Sequence, residues 1–288
     1  MEYGDKHILV LGAGASGIGA SWVLAQVGAH VVLNDYKPVT LPAAEEERLV
    51  SAGVEIITGR QDESLLDGVD RIVISPGISL DIPIVKAAQA RGIDVVSDVE
   101  LAYEISKSPI VAVTGTNGKT TTTTLLTKVL EGSGKPVRVG GNIGDSLSEV
   151  AYSMPAGGFL VAELSSYQLE TIKHFRPIGA IMLNITPDHL ARHKTMENYI
   201  AAKERIFENQ LESDFLVLNI DDSVVADMEH RASSQILQIS QKQSVENGAY
   251  YANGQCYVVK NGVKTSVIGD EDIHIPGSHN IENILTVI

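Results

Sequence analysis

The stretch Ile110-Val-Ala-Val-Thr-Gly-Thr-Asn-Gly-Lys-Thr120 decides the fold of the second half of the chain. Its first five residues are apolar or β-branched, which is typical of a parallel strand covered on both faces. A glycine-containing loop follows, and a helix is predicted over Lys119–Leu130. Backbone amides of such a loop can surround phosphates, while Lys119 contacts β- and γ-phosphate oxygens and the Thr120 hydroxyl binds Mg²⁺. The loop is not a full Walker motif, because Val113 stands where that motif has its first glycine.

Apolar runs and helical patterns alternate on both sides of this loop. The predicted strands before it are Ile8–Leu11, Val31–Asn34, Val54–Ile57, Ile72–Ser75 and Ile93–Val96, with helices at Ser16–Val27 and Pro83–Arg91. The elements predicted after it are strands at Phe159–Ala162, Ile178–Leu183 and Phe215–Asn219 and a helix at Met196–Asn209. Strands that alternate with helices predict doubly wound parallel sheets.

The last part of the chain has a different pattern. Asn253-Gly254 and Asn261-Gly262 separate short β-rich runs, which predicts an antiparallel meander with type I′ turns. The fold class is therefore α/β. We expect a Rossmann-like domain at residues 1–98 and a P-loop-type ATPase domain with the meander at residues 99–288. The helical pattern of His279–Ile288 stops in an uncapped apolar run, so we expect a further region beyond it.

Composition narrows the class of protein. The 288 residues include 22 Lys+Arg and 36 Asp+Glu, a net charge of −14, which argues against a nucleic-acid partner. The single cysteine, Cys256, excludes an intramolecular disulfide within the sequence. Neither a basic leader nor an apolar run of about 18 residues is present in the sequence. We therefore expect a cytoplasmic protein without a membrane partner.

A second glycine-rich turn, Gly12-Ala-Gly14-Ala-Ser-Gly17, follows the first predicted strand. Its amides and the start of the next helix suit a diphosphate, and Asp35 ends the second strand, where a carboxylate can bind a ribose or base. An NAD(P)-dependent dehydrogenase has this pattern, but so does any Rossmann turn that binds an anion. The glycines also serve where a helix and a strand merely pack closely.

Several separated motifs resemble the Mur ligase family over residues 8 to about 284. They are Gly115–Thr120, Gly140-Gly-Asn-Ile-Gly144, Glu163-Leu-Ser-Ser-Tyr-Gln-Leu-Glu170, Asp188-His189 and Tyr199-Ile-Ala-Ala-Lys203. Ser75-Pro-Gly-Ile78 resembles the D-glutamate-adding branch. The resemblance implies an ATP-dependent ligase of cytoplasmic peptidoglycan precursor synthesis, which joins D-glutamate to UDP-N-acetylmuramoyl-L-alanine through an acyl phosphate. It also implies that the family's third domain follows Ile288.

The resemblance further implies site residues. The implied ATP-binding residues are Gly115, Thr116, Asn117, Gly118, Lys119, Thr120, Thr121, Asn280 and Asn283. The implied substrate-binding residues are Gly14, Ala15, Ser16, Asp35, Tyr36, Ser75, Gly77, Asn142 and His189. The implied catalytic residues are Lys119, Lys203, His189, Asn142 and Glu163. Two Mg²⁺ ions are expected on Thr120, Glu163, His189 and Lys203, the last carbamylated by CO₂. The implied partners are UDP-N-acetylmuramoyl-L-alanine, D-glutamate and ATP, and a monomer is expected.

Simpler interpretations exist for the same residues. Lys203 could be a solvated helix lysine, Glu163 a surface acid at a strand end, and His189 a solvated loop histidine, since Mg²⁺ prefers oxygen ligands. Asn142 suits a left-handed turn position, and Asn280 a helix cap. Three functional alternatives also remain: a Mur ligase for a different amino acid, an NAD(P)-dependent oxidoreductase, and a nucleotide-binding module without catalysis.

Overall fold

Two sheets organise the chain, and the computed structural model describes residues 3–288. The strands are β1 (His7–Leu11), β2 (His30–Asp35), β3 (Glu55–Thr58), β4 (Arg71–Ile74), β5 (Asp94–Ser97), β6 (Ile110–Thr114), β7 (Val137–Gly141), β8 (Phe159–Glu163), β9 (Gly179–Met182), β10 (Phe215–Asn219), β11 (Gln235–Ser240), β12 (Gly248–Ala252), β13 (Gln255–Lys260) and β14 (Val263–Gly269). The helices are α1 (Ala15–Gln26), α2 (Ala43–Ser51), α3 (Pro83–Ala90), α4 (Asp98–Ile105), α5 (Lys119–Glu131), α6 (Leu147–Ser153), α7 (Ser166–Leu169), α8 (Leu190–His193), α9 (Met196–Glu204), α10 (Ser223–Ala226) and α11 (Ser278–Val287).

The chain divides into two compact units that are interleaved in sequence. The first contains the chain up to Lys107 together with Gly144–Met154 and Tyr167–Phe175. The second contains Ser108–Ile143, Pro155–Ser166 and Arg176–Ile288. The division into functional domains at residues 98 and 99 stays a prediction, because packing and function need not share a boundary.

The first unit is built on a parallel sheet in the order β3-β2-β1-β4-β5. Ile8 and Val10 face a core cluster that includes residues of α1, α2 and α4, whereas Leu9 and Leu11 face one that includes residues of α3. Both faces of β1 are thus buried, which explains its continuous apolar run. The predicted doubly wound sheet is confirmed, although the link from β3 to β4 contains a short 3-10 helix, Glu63–Leu66, instead of an α-helix.

Two segments from later in the sequence complete the first unit. Helix α6 packs against α1 and α4. A Cβ atom on Gly19 of α1 would lie 2.4 Å from the Oγ of Ser146, so only glycine permits this approach. The buried carboxylate of Glu100 accepts backbone N–H groups of Lys173 at 2.7 Å, His174 at 2.8 Å and Phe175 at 3.0 Å. Glu100, which belongs to α4, therefore holds the backbone of residues 173–175 against this helix.

We expect Glu100→Ala to lower the free energy of unfolding by about 3 kcal/mol, because three buried donors lose a charged acceptor. Urea unfolding measures this change. The matched control is Glu47→Ala on α2, whose side chain is exposed and whose loss should change stability by less than about 0.5 kcal/mol. Equal effects of the two substitutions would contradict the role assigned to Glu100.

The second unit contains a sheet in the order β14-β13-β12-β11-β10-β9-β6-β8-β7. Strands β7 to β12 are parallel, and β6 lies between β8 and β9 near the middle of the parallel part. On one face, α5 and α11 pack against each other. The strand that precedes the glycine-containing loop is therefore flanked on both sides, which fixes the position of its carboxyl end.

The predicted meander is confirmed as the antiparallel strands β12, β13 and β14, which extend the parallel sheet. Asn253 and Gly254 have φ angles of +53° and +77°, and Asn261 and Gly262 have +52° and +75°. Positive φ at both central residues is the requirement of the type I′ turn. The helix predicted over Met196–Asn209 is shorter, because α9 tightens after Glu204 into a 3-10 turn, as helix ends often do.

No helix between residues 3 and 288 is both long and apolar enough to cross a membrane.

Candidate functional site

The glycine-containing loop joins β6 to α5 in the second unit. Gly115 and Gly118 have φ angles of +150° and +87°, which side chains rarely adopt. A Cβ atom on Gly118 would lie 2.7 Å from Oδ1 of Asn283, and one on Gly115 would lie 2.9 Å from Cβ of Leu183. Both glycines are therefore required by conformation and by space, and the loop leads directly into the start of α5.

Lys119 folds back over this loop. Its Nζ donates to the carbonyl oxygens of Thr116 at 2.8 Å and Gly115 at 3.1 Å. Burial lowers the pKa of Lys119, and the charges of Glu163 and Asp188 oppose that shift. The next residues, Thr120 and Thr121, are exposed, so their side chains are accessible at the first turn of α5. The arrangement places one cation and exposed hydroxyl groups beside the loop amides.

One residue that the sequence analysis did not single out, Asn184, helps to hold the loop in place. Asn184 follows the end of β9, and its Oδ1 accepts the backbone N–H of Asn117 at 2.8 Å. Its backbone oxygen accepts the N–H of Thr116 at 2.8 Å. The hydroxyl groups of Thr116 and Tyr199 are 3.0 Å apart. These contacts join segments distant in sequence. The one available signal was that Asn184 follows a predicted strand, where site residues collect in α/β sheets.

Glu163 ends β8 and is 1% exposed. Its Oε1 accepts Nδ2 of Asn142 at 2.8 Å, and its backbone oxygen accepts the Asn142 N–H at 2.8 Å. Its Oε2 is buried without a hydrogen-bond partner. A buried carboxylate oxygen without a donor is costly unless a cation pairs with it. The residue is therefore not a surface acid, and its donor set fits a hard cation such as Mg²⁺.

Lys203 lies on α9 with only 2% of its surface exposed, so it is not a solvated helix lysine. Its Nζ donates to the Gly115 carbonyl at 2.7 Å and to Oγ1 of Thr114 at 3.2 Å. Burial lowers its pKa to about 7, and the charge of Lys119 adds to the effect while Asp188 opposes it. The side chain is thus a buried amine beside the glycine-containing loop. A large fraction of this amine is uncharged near pH 7.

His189 has a left-handed backbone, with φ of +53°, and precedes α8. Its Nε2 lies 3.4 Å from Oδ2 of Asp188, and its side chain is about half exposed. No three His, Cys, Asp or Glu side chains within residues 3–288 are grouped so that they could hold a metal ion. Two of the four expected metal ligands, Thr120 and Lys203, are not His, Cys, Asp or Glu. The expected metal site therefore stays a prediction.

The asparagine pair on α11 lies beside the same loop. Asn283 is buried, and its Oδ1 accepts the hydroxyl of Thr122 at 3.1 Å. Its Nδ2 donates to Oδ1 of Asn280 at 3.1 Å, and Asn280 donates to the Pro276 carbonyl at 2.7 Å. Asn283 is therefore next to the glycine-containing loop, and Asn280 is next to Asn283. Binding of adenine by this pair stays a prediction.

The glycine-rich turn of the first unit is held by Asp35. Its Oδ2 accepts the backbone N–H of Ala13 at 2.9 Å, and its Oδ1 accepts that of Lys37 at 2.9 Å. The Ser75 hydroxyl donates to the Gly12 carbonyl at 3.3 Å. Gly14 and Ala15 are exposed at the turn, and Ser16 is half-buried at the start of α1. Asp35 and Ser75 thus shape the turn.

A cavity of about 620 Å³ is lined in part by Asp35, the residue that holds this turn. The predicted substrate residues Asp35, Tyr36 and Gly77 line it, and so does Gln61, which the sequence analysis did not select. Tyr36 is 70% exposed, so its ring presents a large free face. The volume lies within the usual range for small-molecule sites, about 300–1,000 Å³.

Comparisons with known proteins identify the family. The family model described as Mur ligase middle domain matches residues 113–288, and the one described as Mur ligase MurD-like, N-terminal domain matches residues 6–97. Curated proteins named UDP-N-acetylmuramoylalanine–D-glutamate ligase are similar. The one from Thermoanaerobacter pseudethanolicus is 45% identical over 99% of this chain and 63% of its own length. That from Caldanaerobacter subterraneus subsp. tengcongensis is 47% identical over 99% and 62%.

Solved structures share the fold. UDP-N-acetylmuramate:L-alanyl-gamma-D-glutamyl-meso-diaminopimelate ligase from Neisseria meningitides has a TM-score of 0.65 and 21% identity, covering 98% of this chain and 92% of that one. MurF ligase from Thermotoga maritima in complex with ADP has a TM-score of 0.50 and 18% identity, covering 89% and 58%. The chain spans about 63% of the length of the curated relatives it matches. Both family models and the fold agree that the chain belongs to the Mur ligase family.

Proposed function

We propose that this protein is an ATP-dependent ligase that adds D-glutamate to UDP-N-acetylmuramoyl-L-alanine in cytoplasmic peptidoglycan precursor synthesis. The observation that carries the proposal is 45–47% identity, over 99% of the chain, to proteins named for that reaction. Its reactants are small molecules, and we propose that it acts as a monomer. The proposal includes two functional domains, residues 1–98 for the uridine substrate and residues 99–288 for ATP.

The proposed reaction needs two steps. A carboxylate oxygen of the muramoyl-alanine substrate attacks the γ-phosphorus of ATP, and ADP leaves. The D-glutamate amine then attacks the resulting acyl phosphate, loses a proton and expels phosphate as the amide forms. A carboxylate is a poor electrophile, so the phosphoryl group supplies the leaving group. The task of the protein is to position the reactants and to neutralise charge.

The second unit supplies groups for the phosphoryl step. We propose that Gly115–Thr121 binds the ATP phosphates, with Lys119 beside the β- and γ-phosphate oxygens and Asn280 and Asn283 at the adenine. The accessible first turn of α5 and the two constrained glycines support this assignment. ADP in the related MurF structure is consistent with it. Asn142 orients Glu163 through its amide, and we propose that this amide also contacts the acyl oxygens.

Metal binding is assigned to Thr120, Glu163, His189 and Lys203. Two Mg²⁺ ions, when bound, would neutralise the charge of the phosphate oxygens. The unpartnered Oε2 of Glu163 supports one ligand position. Lys203 can act only after CO₂ converts its neutral amine to a carbamate, and the pKa of about 7 that burial produces supports that chemistry. We propose that His189 lies near the second ion and the substrate.

The first unit is assigned to the uridine diphosphate part of the substrate. We propose that Gly14, Ala15 and Ser16 face the diphosphate, and that Asp35, Tyr36, Ser75 and Gly77 surround the uridine. The cavity lined in part by Asp35 supports this assignment. An oxidoreductase would use the same turn, but it leaves the constrained loop at Gly115 and the buried Lys203 without a role. A Mur ligase with another amino acid and a nucleotide-binding module without catalysis are the remaining alternatives.

A thermal-shift titration tests the substrate class. We expect UDP-N-acetylmuramoyl-L-alanine and UDP, but not NAD⁺, to stabilise the chain, by about 2.7 kcal/mol at 100 times the dissociation constant. Stabilisation by NAD⁺ alone would contradict the ligase and favour the oxidoreductase. In the complete protein, phosphate release should require D-glutamate, and release with a different amino acid would favour a Mur ligase for that amino acid.

A further inference from the structure

The amide of Asn34, at the end of β2, has a fixed orientation. The side chain is fully buried, and its Nδ2 donates to the carbonyl oxygens of Ile57 at 2.9 Å and Arg60 at 2.8 Å. Two carbonyl oxygens can only accept, so the nitrogen of the amide must face them. The Oδ1 atom of Asn34 is therefore directed elsewhere and requires a donor.

Gln61 supplies that donor, which fixes its own amide in turn. The Nε2 of Gln61 lies 3.0 Å from Oδ1 of Asn34. The reverse orientation would place two acceptor oxygens against each other, which is unfavourable. The Oε1 of Gln61 therefore points away from Asn34. Gln61 lines the cavity that also contains Asp35 and Tyr36, so a molecule in that cavity would meet a glutamine whose amide orientation is already fixed.

We infer that Gln61 determines base specificity in this cavity, by accepting the N3–H of a uracil ring, and that Asn34 positions it. The inference rests on the proposed function, which places a uridine nucleotide in the first unit. Uracil carries a single ring N–H donor between two carbonyl groups, and cytosine has an acceptor nitrogen at the same position. A fixed amide oxygen thus matches uracil and opposes the cytosine ring nitrogen.

The neighbouring residues have different roles. The exposed ring of Tyr36 offers a stacking face, but stacking accepts every base and does not distinguish uracil from cytosine. Each oxygen of Asp35 accepts one backbone N–H of its own turn, so this carboxylate is positioned by the turn and not by the buried amides. Gln61 is therefore the lining side chain whose orientation is set by a buried network and whose acceptor is directed away from that network.

Calorimetric titration of UDP and CDP into the whole chain tests this role. In Gln61→Leu, which keeps the volume but removes the amide, UDP should bind about tenfold more weakly while CDP changes less than about twofold. The control is Gln243→Leu, an exposed glutamine of the second unit, which should leave both affinities unchanged. Equal weakening of UDP and CDP, or no change in either, would overturn the inference.

A measurement on the unsubstituted chain avoids any folding defect of the variant. UDP should bind at least about tenfold more tightly than 3-methyluridine 5′-diphosphate, which lacks the N3–H. Equal affinities for the two nucleotides would overturn the recognition of uracil by Gln61. They would not contradict the proposed ligase activity. If the unsubstituted chain fails to bind UDP, the substrate assignment of the first unit fails, and this inference fails with it.

Discussion

Replacing Lys203 with alanine is expected to reduce phosphate release by the complete protein by about 10²–10³-fold. The substitution removes the amine that we propose is converted to a metal-binding carbamate. Formate or acetate at millimolar concentration should restore part of the activity, because a small carboxylate can occupy the space left by the side chain. Steady-state phosphate release, with and without the added acid, measures both effects.

The control for this experiment is Lys128→Ala on α5. Its side chain is exposed and pairs with Glu131 at the surface, so activity should stay within about twofold of the parent. Loss of activity without rescue by either acid would count against carbamylation. Unchanged activity of Lys203→Ala would remove the residue from the proposed site altogether.

The pKa of Lys203 also makes the proposed carbamate formation depend on pH. An ordinary lysine amine, with a pKa of about 10.4, is almost entirely charged at pH 7 and reacts poorly with CO₂. With its pKa lowered to about 7, the Lys203 amine changes from mostly charged to mostly neutral between pH 6 and 8. At constant dissolved ¹³CO₂, the carbamate signal in ¹³C NMR should therefore rise across this range and be absent from Lys203→Ala.

Glu163→Gln is expected to lower activity by about 100-fold or more and to raise the Mg²⁺ concentration needed for half-maximal activity. Gln keeps an oxygen that can accept the Asn142 amide, so the loop should remain folded. It places an NH₂ group or a neutral oxygen where the buried Oε2 now lies, and neither replaces a carboxylate as a Mg²⁺ ligand.

Activity measured across a Mg²⁺ titration, with thermal midpoints as a check on folding, tests this expectation. The matched control is Glu131→Gln, at the exposed end of α5, which should behave like the parent protein. Parent-like activity of Glu163→Gln at the same Mg²⁺ concentration would show that Glu163 has no part in metal binding.

Local patterns predicted the parts of the fold that depend on local chemistry. The strand at Ile110–Thr114, the helix that starts at Lys119 and the two Asn-Gly turns are confirmed. Each depends on a pattern of neighbouring residues: a run of buried side chains, or an Asn-Gly pair that adopts positive φ. Helices α2, α4 and α6 were not predicted. Their helical character depends on packing around the first sheet as well as on local propensity.

Partners distant in sequence were beyond prediction for the same reason. Nothing near Glu100 indicates that it binds the backbone of residues 173–175, and nothing near Gln61 indicates that Asn34 fixes its amide. Motif resemblance selected Lys203, for which local reasoning favoured a solvated side chain, and Glu163, for which local reasoning also allowed a surface acid. Their burial, at 2% and 1% exposed, decides against solvation. It does not by itself assign them a role in catalysis.

The interleaving of the two units has a consequence for how the protein is made. A ribosome releases the sheet of the first unit early, yet α6 and the backbone bound by Glu100 emerge only after β6, α5 and β7 of the second unit. The first unit cannot finish folding before residue 175 is available. Simple N-to-C completion of domains during translation therefore does not apply. Neither unit is a continuous segment of the chain, so recombination at one breakpoint cannot exchange the first unit intact.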